Sequence, residues 1–161
     1  EDLLTTVPHE KYRHVPKQDP HDSRNATDTF HETSVTHSIF KILAENSLVL
    51  ARLNLNNGEY EILKRDYRLH GCGLEMEHDF ESYNRRILNE KLIYPDDEEL
   101  YRSRITLSSL HDFFFDGKKQ LSYQFRRQLN NEYILTVMEF FAGNRCDVQN
   151  PWIVVLIREI S

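Results

Sequence analysis

Cysteine is scarce in this chain: two of 161 residues, Cys72 and Cys146, and neither forms a Cys-x-x-Cys pair. No disulfide framework and no thiolate metal cage is implied, and sparse cysteine fits a reducing compartment, so a cytoplasmic location is expected. No apolar run approaches the roughly 20 residues that cross a bilayer, so direct membrane insertion is not expected. Positive charge is in deficit. Lys and Arg number 20 against 26 Asp and Glu, which leaves a formal net charge of −6. That balance argues against wrapping nucleic acid or settling on anionic lipid. Catalytic signatures are missing too. There is no Gly-rich phosphate loop, no Ser nucleophile elbow, no His-Glu-x-x-His and no Gly-Gly-Asp-Glu-Phe. Asp96, Asp97, Glu98 and Glu99 read as a helix start, not as an acid–base pair. No enzymatic activity is expected of the chain alone.

What is present is a globular composition, 39% hydrophobic and 11% aromatic. That is enough for one domain with its own core. Residues 1–36 stand apart. They hold Pro8, Pro16 and Pro20, and between Pro8 and Thr29 the sizeable apolar side chains are Tyr12 and Val15 alone. Such a stretch cannot offset its ordering entropy and reads as a polar linker or extended arm. His14, Asp19, His21 and Asp22 lie there without the spacing of a metal site. The domain proper is expected over 37–161.

Periodicity places the elements. Val35, Ile39, Ile42 and Leu43 recur at helical spacing and predict a flanking amphipathic helix over 32–45. Residues 48–55 alternate as a strand. Asn56-Asn57-Gly58 forms a turn, and a second strand returns over 59–66. Phe80, Tyr83, Ile87 and Leu88 share one helical face, with Asp79 as N-cap. Asp96 is expected to cap the next helix with Glu99 completing the box. A third helix covers 106–115 and stops at Asp116-Gly117. Leu121, Tyr123, Phe125 and Leu129 alternate with polar residues in a half-buried strand, and Asn130-Asn131 turns the chain. Residues 133–141 and 152–157 are apolar on both faces and should be central strands. The whole is α+β: a five-stranded antiparallel sheet in the order 2-1-5-4-3, with short helices on one face.

This order resembles the PAS sensor-domain family, over residues 38–161. Tyr94-Pro95-Asp96-Asp97 resembles the family's His-Pro-Asp-Asp step before a helix. Tyr123-Gln124-Phe125-Arg126-Arg127 resembles its aromatic-Arg strand, and Arg158-Glu159-Ile160-Ser161 its Arg-Asp-Ile-Thr ending. The resemblance implies a bacterial signal-transduction sensor that controls an attached diguanylate cyclase or histidine kinase domain. On that view the chain, which opens on Glu1, is a piece of a longer protein. The resemblance also implies a pocket between sheet and helices, with Leu53, Phe80, Tyr83, Tyr123, Phe125 and Val137 as candidate lining. The ligand would be a small organic molecule.

Flavin chemistry of the family's photosensors is not expected, since Asn144-Arg145-Cys146 has the wrong order and lies in a loop. Haem is not expected either, because His70, His78 and His111 sit in no specific setting. The stripe Val35, Ile39, Ile42 and Leu43 should cover a second copy of the chain, as a homodimer, or the outer face of its own sheet. The alternative to a sensor is a dimerisation module with no small-molecule ligand. A third reading, a cone-shaped α+β enzyme, would need an Asp/His or Asp/Tyr pair in the pocket, which the sequence does not place.

Overall fold

The computed structural model describes residues 38, 39, 41–69 and 77–160. The elements below belong to the unit Ile39–Ser161. Residues 41–45 are helical (α1) and lead into β1 (Val49–Asn54) and β2 (Tyr60–Arg65). Helices α2 (Phe80–Asn89), α3 (Glu98–Arg104) and α4 (Leu107–Phe115) follow, with a 3-10 turn at Pro95–Asp97. Strands β3 (Gln120–Leu129), β4 (Glu132–Ala142) and β5 (Trp152–Glu159) end the chain. The sheet is antiparallel in the order β2-β1-β5-β4-β3, as the alternation and the PAS resemblance imply. The expectation of an unstructured stretch at 8–29, and most of the 32–45 helix including Val35, lie outside the described residues.

The turns follow from local chemistry. Gly58 takes φ +78 between β1 and β2, and its N–H donates to the Asn54 carbonyl. A Cβ there would stand 3.2 Å from both Asp79 Oδ1 and Leu107 Cδ2, so glycine suits the site for space as well as for φ. Between β3 and β4, Asn130 and Asn131 have φ 50 and 65. Two positive φ values in a two-residue loop make a type I′ turn, whose twist matches the strands, and Asn tolerates this region better than most residues.

Every second residue of each strand faces the helices. Val49, Ala51, Leu53, Phe125, Met138, Phe140, Ile153, Val155 and Ile157 form that face. Against it pack Phe80, Tyr83 and Ile87 of α2, Tyr101 of α3, and Leu110 and Phe114 of α4. Asp79 caps α2 as expected, accepting from the Ser82 N–H at 2.9 Å. Thr106 caps α4, and Gly117 closes it with φ +89.

The expected cap by Asp96 does not form, and α3 starts without a side-chain cap. The neighbouring Asp97 instead reaches across to β3. Its carboxylate accepts from the Arg126 backbone N–H (2.8 Å), from Arg126 Nε (2.9 Å) and from Arg126 Nη2 (2.9 Å). The Arg126 guanidinium also lies over the Tyr94 ring, 3.9 Å from its centre. A carboxylate gains more from three donors, two of them on a bidentate guanidinium, than from a helix start. Two of the segments that carry the PAS resemblance are thus joined.

The Arg126 side-chain hydrogen bonds hold the Asp97 carboxyl below its ordinary value of 3.8, against the opposing effect of burial. A carboxyl depressed on folding stabilises the fold above its unfolded value and loses that contribution as pH falls through the folded one. Asp97→Ala should therefore lower stability by about 1 kcal/mol at pH 7, since solvent screens a pair whose arginine is exposed. Urea unfolding at pH 7 and at pH 3 measures this. The gap between wild type and variant should narrow at the lower pH.

Candidate functional site

The inner face of β3 carries Leu121, Tyr123, Phe125 and Leu129, and the same alternation places Arg127 among them. Its side chain is 2% exposed and points into the core, not to solvent. Arg127 Nη2 donates to the Tyr83 hydroxyl at 3.3 Å, while Nε has no acceptor. No carboxylate pairs with this guanidinium among the described residues. Three buried phenols surround it. Tyr60 from β2 and Tyr83 from α2 stack edge to face with centroids 4.9 Å apart, and Tyr101 from α3 meets Phe125 in the same way at 5.1 Å.

The cluster is rich in donors. Tyr101 donates to Asn84 Oδ1 at 2.8 Å, and Asn84 Nδ2 donates to the Ile105 carbonyl at 3.2 Å. Tyr60 Oη is buried without a partner. Burial, and then the neighbouring Tyr83, push the Tyr60 and Tyr101 phenols well above their ordinary range, so both are neutral O–H donors at physiological pH. Burial works against the Arg127 cation, the phenols led by Tyr83 favour it, and the net direction is upward. Among the described residues this cluster therefore holds one buried positive charge, two buried atoms without hydrogen-bond partners and no counter-ion. Burying a charge without a partner is strongly unfavourable.

Arg127 also borders a cavity of about 270 Å³, lined further by Arg68, Leu69, Leu92, Gln128, Asn130 and Asn131. The second arginine is already compensated: Asp66 accepts from Arg68 Nε at 3.0 Å, and Glu159 lies 3.8 Å from its Nη1. Another cavity, of about 220 Å³, reaches Asn84 and Tyr101 from the helix side. Among the described residues, no three His, Cys, Asp or Glu side chains gather where a metal could be held.

Of the residues chosen from the sequence as pocket lining, Leu53, Phe80, Tyr83 and Phe125 pack in the core between sheet and helices, with Tyr123 partly buried against them, and none of the six borders either cavity. Tyr83 touches the guanidinium directly. Val137 is a correction. It pairs with Gln124, while its neighbour Met138 pairs with the inward Tyr123, so the pleat turns Val137 to the opposite face of the sheet. Arg127, Tyr60, Tyr101 and Asn84 were missed. The signal for Arg127 was there: a charged residue at a position where the period of two requires an inward side chain. His78 is exposed, His111 stacks on Phe115 with centroids 4.1 Å apart, and His70 lies outside the described residues. Asn144, Arg145 and Cys146 lie between β4 and β5, and Cys146 is a free, half-buried thiol.

Removing an uncompensated buried charge should stabilise the protein by itself. Arg127→Met should raise the unfolding free energy by about 1 kcal/mol or more, as hydrophobic replacements of buried charges often do. Tyr60→Phe should be neutral within about 0.5 kcal/mol, because the hydroxyl has no partner to lose. Tyr101→Phe, which strands Asn84 Oδ1, should cost about 1–2 kcal/mol. Urea titration of the four proteins separates these outcomes.

No family model matches the chain, and no curated protein matches it. Among solved structures it is similar to a domain assigned to a light and redox sensing histidine kinase from Haloarcula marismortui. The TM-score is 0.43 at 12% identity, over 70% of this chain and 89% of that one.

Proposed function

We propose that the unit Ile39–Ser161 is the regulatory sensor domain of a bacterial signalling protein, and that a small molecule binds between its sheet and its helices. The observation that carries this reading is Arg127, a residue at the wall of a cavity whose buried guanidinium has an unpartnered Nε. A core selected only for stability would place an apolar side chain there. A binding site instead keeps a few convergent polar groups in an otherwise apolar setting. The same sheet can pass on the signal. β3 carries Arg127 and pairs with β4, and β4 pairs with β5, which ends on Arg158 and Glu159. A ligand that favours one position of β3 would bias whatever follows β5, here proposed to be a diguanylate cyclase or histidine kinase domain.

A dimer through α1 belongs to the same proposal. Ile39, Ile42 and Leu43 are 51%, 58% and 38% exposed, an apolar stripe that a second copy would cover. If that contact were the whole function, the protein would be an interaction module and would carry no ligand.

Two measurements test the proposal. Native mass spectrometry of protein taken directly from cells should show a small-molecule adduct on the wild type and none on Arg127→Met. A wild type without an adduct would leave the interaction module as the reading. Sedimentation should show a wild-type dimer and a folded monomer for the double variant Ile39→Asp with Ile42→Asp. A wild type that stays monomeric at high micromolar concentration removes the dimer.

A further inference from the structure

We propose that the Arg127 cluster is a receptor for a small organic monocarboxylate, an inference that rests on the sensor reading and gives its ligand a chemical class. The first argument is ion pairing. Of the two arginines at the cavity, Arg68 is paired with Asp66, with the exposed Glu159 3.8 Å away, whereas Arg127 has no carboxylate partner among the described residues. One bound negative charge balances it. A phosphate dianion would leave an excess negative charge in a low-dielectric core, and a neutral ligand would leave the guanidinium uncompensated.

The second argument is geometry. A guanidinium presents planar, forked donors that match the two oxygens of a carboxylate. Arg127 uses one nitrogen on Tyr83 and has Nε without an acceptor. The remainder of such a ligand would meet the apolar wall of Leu69 and Leu92 and the amides of Gln128, Asn130 and Asn131. Water occupies about 30 Å³ per molecule in the liquid, so a cavity of about 270 Å³ accommodates an acid of several heavy atoms.

The test is calorimetric titration of the complete 161-residue chain. The probes are acetate, isovalerate and benzoate, each with its neutral amide, and inorganic phosphate. At least one carboxylate should bind saturably and raise the melting temperature, while its amide should not. Arg127→Met should abolish binding. Amides that bind as well as the acids, preferential binding of phosphate, or undiminished binding by Arg127→Met would each overturn the proposal. So would no Arg127-dependent binding of any carboxylate. If the molecule released from the wild-type protein in native mass spectrometry carries no carboxyl group, the class is overturned and the sensor reading stands. If no molecule is released and no probe binds, both fall.

Discussion

The pleat of β3 sends two adjacent arginines to opposite fates. Arg126 turns outward, where Asp97 takes its guanidinium and its backbone N–H and Tyr94 lies beneath it. Arg127 turns inward, into a core of phenols with no carboxylate among the described residues. The same side chain in the same strand becomes a structural clasp in one case and a destabilising cation in the other. The difference is a rotation of one residue, and it depends on a register that the ladder from Gln120↔Phe141 to Leu129↔Glu132 keeps without a bulge. The clasp matters to the cation as well. By tying β3 to the start of α3 it holds the strand in the phase that keeps Arg127 buried.

The architecture was largely legible in the sequence, because hydrophobic alternation and turn residues both act locally. Leu121, Tyr123 and Phe125 against Ser122 and Gln124 define a half-buried strand without reference to anything distant. The apolar faces of 133–141 and 152–157 announce central strands, and the sheet order followed. The local rule failed where a distant partner competed. Asp96 and Asp97 have the composition of a helix cap, yet nothing near them in the chain foretells an arginine 29 residues later that binds Asp97 more strongly.

The site was legible only in part, for a different physical reason. A search for apolar and aromatic lining finds Leu53, Phe80, Tyr83 and Phe125, which fill the core and border neither cavity, because core and pocket share a composition. Arg127 escaped because the inward series was read as Leu121, Tyr123, Phe125 and Leu129, which passes over the charged position between the last two. Val137 was misplaced for the complementary reason: a strand apolar on both faces does not declare which face is inward. Tyr60, Tyr101 and Asn84 come from β2, α3 and α2, and their convergence around one guanidinium, Asn84 through Tyr101, is a property of the folded chain alone.

The segment between α2 and α3 has a further consequence. β3 is an outer strand of the sheet, and an outer strand presents backbone groups that invite pairing with a foreign chain. Here Tyr94 N–H donates to the Arg126 carbonyl and Gln128 N–H donates to the Leu92 carbonyl, at 2.9 and 2.8 Å, while Asp97 takes the Arg126 N–H. Residues 92–97 thus blunt one end of that edge as a short strand would, without adding a sixth strand. The stretch of chain that fastens Arg126 in place also shields the protein from edge-to-edge aggregation.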